Sequence, residues 1–251
     1  MIHAWGITDK GAVRTQNQDG FYLDVPSEHL AVGVVCDGMG GAKAGNIASL
    51  IAVETFVDAL QGMQPDGDGE AGPAAVLSRA AETANTAVYH RAVTDPDCRG
   101  MGTTMVAALV VEQTAYLLNI GDSRAYLIHG EELSQLTHDH TVVQMLMERG
   151  EITEEEALSH PQRHYITRAV GVDCEIRVEF SQVELGEGDA VLLCSDGLYN
   201  YADPTDFPRL VREALESGDA SGFIDAANAG GGGDNITAVI LSGDAKEKID
   251  G

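Results

Sequence analysis

Four short apolar runs in this chain break off at, or begin from, an aspartate that lies beside a glycine or an amide. They are AVGVVCDGMGG with Asp37, YLLNIGDSRAY with Asp122, AVLLCSDGLYN with Asp196 and GGGGDNITAVILSG with Asp234. Short apolar runs bounded by turn residues read as buried strands. Asp37 and Asp196 therefore end strands, Asp234 opens one, and Asp122 sits in a turn between two. Strand ends are rigid, and glycine lets backbone approach a ligand closely. Carboxylates held this way suit hard, oxygen-seeking cations such as Mg²⁺ or Mn²⁺. A single Asp-Gly is an ordinary turn dipeptide; the repetition points further, because converging carboxylates repel unless cations lie between them. The glycines after Asp37 also free backbone carbonyls to act as ligands.

The rest of the chain reads as strand groups separated by paired helices. Residues 2–9 and 20–25 are expected strands around the turn KGAVRTQNQD, and 31–36 is a buried strand. A helix is expected over 44–60, with Ile47, Leu50, Val53, Phe56, Val57 and Leu60 on one face, and a second over 73–92. Between them QGMQPDGDGEAGP reads as a loop. Segments 103–111, 114–120 and 125–129 read as successive antiparallel strands. Strands follow at 176–183 and 189–195, helices at 206–217 and 221–229, and a last strand at 236–242. This order argues for α+β rather than a parallel wound sheet. Residues 138–170 are polar and weakly helical, with Thr153 and Glu156 spaced as a capping box, and could form a flap over a site. One domain spanning 1–251, without a linker or internal repeat, is expected.

The chain has 251 residues, 44% of them hydrophobic, which suits a globular fold. Its 15 basic and 40 acidic residues give a net charge of −25, which argues against nucleic-acid binding and anionic membrane surfaces. An anionic substrate would need cations to reverse the local sign. The acidic runs TEEEA at 153–157, PDGDGE at 65–70 and the tail DAKEKID read as solvated surface. No apolar run is long enough to span a bilayer, and the N-terminus lacks the pattern of a secretory signal. Cys36, Cys98, Cys174 and Cys194 are scattered; Cys36 and Cys194 read as buried thiols. A cytoplasmic location is expected.

Arg14 stands in the turn GAVRTQNQD, one of eleven arginines in an acidic background. Alone it reads as an exposed turn residue, yet a planar guanidinium fork is a natural phosphate clamp. Asn17 and Asp19 lie just downstream. Together the segments R-x-x-N-x-D (Arg14–Asp19), V-x-D-G-M-G-G (Val35–Gly41), G-T-T (Gly102–Thr104), G-D-S-R (Gly121–Arg124), S-D-G (Ser195–Gly197) and G-x-D-N-I-T (Gly232–Thr237) make the chain resemble the metal-dependent protein serine/threonine phosphatases of the PP2C (PPM) type, in their bacterial form. The six occur in family order across nearly the whole chain, and 160–171 resembles the family's flap.

The resemblance implies a β-sandwich of two antiparallel sheets flanked by pairs of antiparallel helices. It implies that Asp37 bridges two Mg²⁺ or Mn²⁺ ions, that the Gly38 carbonyl holds the second, and that Asp196 and Asp234 complete the shell of the first. Asp122 would join Asp196 at a third, weaker ion. Arg14 would bind the substrate phosphate, and Asp19 would act behind the ions through water. The implied reaction is hydrolysis of phosphoserine or phosphothreonine in proteins, with a bridging hydroxide as nucleophile. Met39 replaces a histidine that some members carry as a proposed general acid, which leaves the acid open; His164 on the flap is one candidate. His138 and His140, flanking Asp139, read as surface or structural residues. Thr103 and Thr104 lack an evident base and Ser195 lacks a G-x-S-x-G elbow, so none reads as a nucleophile. A phosphorylated protein substrate, a cognate serine/threonine kinase and a monomeric state are expected. The rivals are a phosphatase of a partner-switching (anti-sigma antagonist) pathway, which often lacks the arginine turn, and a silent binding module, which should have lost a metal aspartate.

Overall fold

The structure, a computed structural model, describes residues 1–41, 44–62 and 72–243. The chain runs β1 (Ile2–Asp9), β2 (Asp19–Ser27), β3 (Leu30–Met39), α1 (Ala44–Gly62), α2 (Pro73–Thr94), β4 (Gly102–Thr103), β5 (Met105–Val111), β6 (Thr114–Ile120), β7 (Arg124–His129) and β8 (Glu132–Gln135). It continues through α3 (Val142–Glu148), α4 (Glu154–Ser159), β9 (Glu179–Glu184), β10 (Ala190–Cys194), α5 (Asp196–Tyr199), α6 (Phe207–Ser217), α7 (Ser221–Ala229) and β11 (Ile236–Gly243). Two antiparallel sheets result. One has the order β1-β11-β10-β7-β8; the other has the order β2-β3-β5-β6-β9, with β4 paired to β3.

The apolar runs have no polar alternation because both faces of the central strands are covered. In β3, Val34 and Cys36 pack against α1 and α2 while Ala31 and Val35 face the opposing sheet. In β10, Leu192 and Cys194 pack against α6 and α7 while Val191 and Leu193 face inward. Three apolar layers follow: helix pair on sheet, sheet on sheet, sheet on helix pair. This is the expected α+β sandwich, with each helix pair on an outer face. Cys36, Cys98 and Cys194 are buried free thiols and Cys174 is exposed.

Several sequence expectations need correction. Leu50 is 55% exposed. The buried face of α1 instead uses Ala44, Ala48 and Ala52 beside Val53, Phe56 and Val57, because small residues let the helix approach the sheet. The strand expected at 103–111 is broken at Thr104, whose peptide N–H turns to the Asp37 carbonyl (2.9 Å). The third strand runs on through Asp37 to Met39, and the ninth begins at Glu179 rather than 176. Asp196 begins the short helix α5 instead of closing a strand, with Ser195 before it as the cap residue. The capping box of Thr153 and Glu156 at α4 is present as expected. The acidic run 65–70, most of the loop 61–73 and the tail from 244 lie outside the described residues.

The segment 138–170 is tied at both ends. An isolated antiparallel bridge joins Thr141 to Ile166 and another joins Thr103 to Val170. Beyond its exit, the buried Asn85 of α2 accepts from the Gly171 N–H (2.7 Å) and donates to the Asp173 carbonyl (3.0 Å).

Candidate active site

A cleft of about 680 Å³ opens where the ends of the two sheets meet. It is lined by Arg14, Asp37, Gly38, Asp122, Asp196 and Asp234, together with Met39, Thr104 and His164. Residues from distant parts of the chain are brought together because the carboxylates stand at or beside strand ends, with Arg14 in the turn between β1 and β2 and His164 in the 138–170 segment. Asp19 lies opposite Asp37 in the β2–β3 ladder, beneath the cleft rather than on its wall.

The backbone that carries each carboxylate is fixed by side chains. The Asp37 N–H donates to Thr104 Oγ1 (2.9 Å), and the Asp37 carbonyl accepts from Thr103 Oγ1 (2.8 Å). Thr104 and Ser123 hydroxyls pair at 2.6 Å in full burial, joining the two sheets across the site. Ser195 and Thr237 hydroxyls both donate to Asp19 Oδ2, at 2.7 and 2.6 Å. The Thr103 and Thr104 hydroxyls thus hold the Asp37 main chain, and those of Ser195 and Thr237 hold the Asp19 carboxylate. The Gly38 N–H donates to the Gln18 carbonyl (3.1 Å). A Cβ at Gly38 would stand 2.0 Å from the Gly45 carbonyl oxygen, so no larger residue fits there without moving α1.

In the sequence Asn235 reads only as part of G-x-D-N-I-T, whereas in the structure its amide makes three hydrogen bonds to the main chain. Its Oδ1 accepts from the Gln18 N–H (2.8 Å), while Nδ2 donates to the Lys10 (3.0 Å) and Gln16 (2.9 Å) carbonyls. It thereby closes the turn that presents Arg14. Nothing in local spacing signals this, because all three partners lie more than two hundred residues away in sequence. Arg14 Nη2 donates to Asp234 Oδ2 at 2.7 Å, so the expected phosphate clamp rests against an expected metal ligand. Of the histidines, only His164 reaches this cleft; His138 and His140 line a separate cavity with Glu148, Arg168 and Glu179.

The electrostatics are those of an anionic cluster short of cations. Burial, then repulsion from Asp19, Asp196, Asp122 and Asp234, holds Asp37 well above the usual carboxylate range. Burial raises Asp19 to about 7, against the opposing pull of its Thr237 and Ser195 hydrogen bonds. Burial and Asp196 raise Asp122 to about 7, and burial and Asp234 raise Asp196 to about 6. Buried Asp19 Oδ1 and Asp196 Oδ1 have no hydrogen-bond partner among the described residues. Orphaned carboxylate oxygens in an all-oxygen donor set fit hard divalent ions. Among the described residues no three His, Cys, Asp or Glu side chains close on a point so as to hold an ion by themselves. A shell that added the Gly38 carbonyl and water to these carboxylates would suit Mg²⁺, which keeps several waters.

Comparison with known proteins gives the same direction. Residues 11–228 match the protein phosphatase 2C family model. The chain is 35% identical over 248 residues to the serine/threonine phosphatase stp of Listeria monocytogenes, covering 98% of each. The crystal structure of the Mycobacterium tuberculosis serine/threonine phosphatase PstP superposes with a TM-score of 0.85 at 36% identity, covering 97% of this chain and 99% of that one. The catalytic domain of PstP in complex with two manganese ions superposes with a TM-score of 0.79 at 35% identity, covering 96% and 97%. With its two-sheet sandwich and its carboxylate cleft, the chain belongs to the protein phosphatase 2C family of metal-dependent serine/threonine phosphatases.

Proposed function

We propose that this protein releases phosphate from phosphoserine and phosphothreonine in proteins, using Asp37, the Gly38 carbonyl, Asp196 and Asp234 to hold two Mg²⁺ or Mn²⁺ ions and Asp122 to help hold a third. The observation that carries this reading is the convergence of four carboxylates on one cleft with Asp19 beneath them and Arg14 at its rim, with Asp19, Asp37, Asp122 and Asp196 all raised in pKa. Bound ions supply Lewis-acid stabilisation of the phosphoryl oxygens and a nucleophile from water at neutral pH.

The chain's own groups do the rest. Arg14 offers a guanidinium fork to the equatorial oxygens of the phosphate, the place where charge is spread in the transition state. Its ion pair with Asp234 holds the side chain over the cleft before substrate arrives. Asp19 sits behind the site with one oxygen free, where it can orient water. Met39 lines the cleft and has no proton to give, whereas His164 enters from the 138–170 segment and can donate one to the leaving alkoxide. That segment acts as a flap that shapes access to the cleft. The enzyme works as a monomer in the cytoplasm and opposes a serine/threonine kinase; among the described residues no helix is long and apolar enough to cross a membrane. Arg14, present at the rim, favours this general role over a partner-switching phosphatase.

The substrate class is tested with matched phosphoserine, phosphothreonine and phosphotyrosine peptides in saturating Mn²⁺. Turnover on the first two, with phosphotyrosine at least about tenfold slower in kcat/KM, is expected, a difference of about 1.4 kcal/mol in transition-state binding. Equal turnover of all three, or none of any, would overturn the assignment.

A further inference from the structure

We propose that His140 is a positioning residue for the accessory-ion aspartate Asp122, acting by clamping Gly121 through an unprotonated Nδ1. The inference rests on the reading of Asp122 as a ligand of the weaker third ion. Asp122 stands in a turn between β6 and β7, and the residue before it, Gly121, has φ +106°, a conformation that side chains other than hydrogen rarely adopt. Such a turn needs external support to hold one geometry. His140 supplies it at two points. Its main-chain N–H donates to the Gly121 carbonyl (2.9 Å), and its ring Nδ1 accepts from the Gly121 N–H (3.1 Å). Both polar groups of the Gly121 peptide links are thus bonded to one residue. Tyr199 completes the grip, its hydroxyl donating to the Asp122 carbonyl at 2.9 Å.

The tautomer follows from the partners. A backbone N–H can only donate, so Nδ1 must present its lone pair, which leaves the proton on Nε2. Nε2 lies 3.0 Å from Glu179 Oε2, an acceptor that needs that proton. Arg168 Nη1 stands 2.9 Å from the same nitrogen; since a guanidinium cannot accept, this is a charge contact that opposes a second proton on the ring. Burial is the main cause that lowers the affinity of His140 for a second proton, with Arg168 acting the same way and Glu179 opposing them. The ring is 4% exposed, so water cannot replace the bond to Gly121. The main chain of His140 also accepts from the Thr167 N–H (2.7 Å), which ties the clamp to the far end of the 138–170 segment.

The two nitrogens of histidine can be mimicked separately. Asparagine places an amide near the position of Nδ1, and glutamine places one near Nε2. His140→Asn keeps an acceptor for Gly121, whereas His140→Gln does not. Mn²⁺ binding is measured without substrate, by isothermal titration and by electron paramagnetic resonance of free Mn²⁺, alongside Asp122→Asn. The expected result is that Asp122→Asn and His140→Gln both weaken only the weakest Mn²⁺ step, by about 10–100-fold as for other supporting shells, while His140→Asn stays within about threefold of wild type. If Asp122→Asn leaves that step unchanged, the reading of Asp122 is wrong. If Asp122→Asn weakens it and His140→Gln does not, or if the two His140 variants weaken it alike, the clamp is wrong. A measurement on the unaltered protein stands independently of variant folding: long-range ¹⁵N–¹H spectra of the imidazoles should show His140 with Nδ1 bare and Nε2 protonated, and a proton on Nδ1 would overturn the proposal.

Discussion

A carboxylate buried without a cation resists ionisation, and Asp19, Asp37, Asp122 and Asp196 all do so here. Their pKa values lie above the ordinary value of 3.8, so the folded chain binds protons that the unfolded chain has released. The stability this contributes is complete below the unfolded pKa and is lost as pH rises through about 6 to 7, the values reached by Asp196, Asp19 and Asp122. Divalent ions compete with those protons for the same oxygens. The thermal midpoint of the metal-free protein should therefore fall relative to that of the Mn²⁺-saturated protein between pH 5 and pH 8, with the gap widening by at least about 5 °C. A gap that stays constant over this range would show that these carboxylates are not where the ions bind. Serine and threonine hydroxyls around the cluster, especially Ser195, Thr237 and Thr104, hold the acids in place at little charge cost.

At the scale of elements, the site depends on turns more than on the strands that carry them. Asn235 ties the turn of residues 10–18 to the entry of β11 through three hydrogen bonds and is 4% exposed. Asn235→Ala removes three part-buried hydrogen bonds to main-chain groups of the turn, so it should cost about 1–3 kcal/mol of unfolding free energy. A urea-melt loss below about 1 kcal/mol would mean that water or a rearranged turn replaces the amide. The strands and the two outer helix pairs were legible in the sequence because their apolar periodicity is strong and their lengths ordinary. The motif aspartates were legible because each stands beside a turn residue at a strand terminus. Leu50 was misread because periodicity reports a face but not how wide the contact is, and alanines made the closer one. The roles of Asn235, His140 and Tyr199 were not legible, since each bonds a backbone group brought near only by folding; His140 reads locally as one of two histidines flanking an aspartate.

In the whole molecule, two sheets carry unequal parts of one centre. Asp19 and Asp37 belong to the sheet backed by α1 and α2. Asp196 and Asp234 adjoin strands of the sheet backed by α6 and α7, and Asp122 lies in the β6–β7 turn that passes from one sheet to the other. The sandwich must be assembled before the carboxylates meet, and the Thr104–Ser123 hydroxyl pair fixes the two halves at the point of contact. Net charge of −25 makes such a centre repel phosphate until cations enter it. The 138–170 segment is joined to both sheets, through Val170 to Thr103 and through Asp139 to Arg124, whose guanidinium lies 3.6 Å over the Tyr199 ring. The central claim is that this cluster is a metal-dependent hydrolytic centre. It is tested most directly by following phosphate release from a phosphothreonine peptide across a Mn²⁺ titration of chelator-stripped enzyme, for wild type and Asp37→Asn. The account predicts no turnover without the ion, full turnover on restoring it, and loss of at least about 10³-fold in Asp37→Asn, on the order of 4 kcal/mol of transition-state stabilisation; wild-type turnover by Asp37→Asn at saturating Mn²⁺, or by the stripped enzyme, would contradict it.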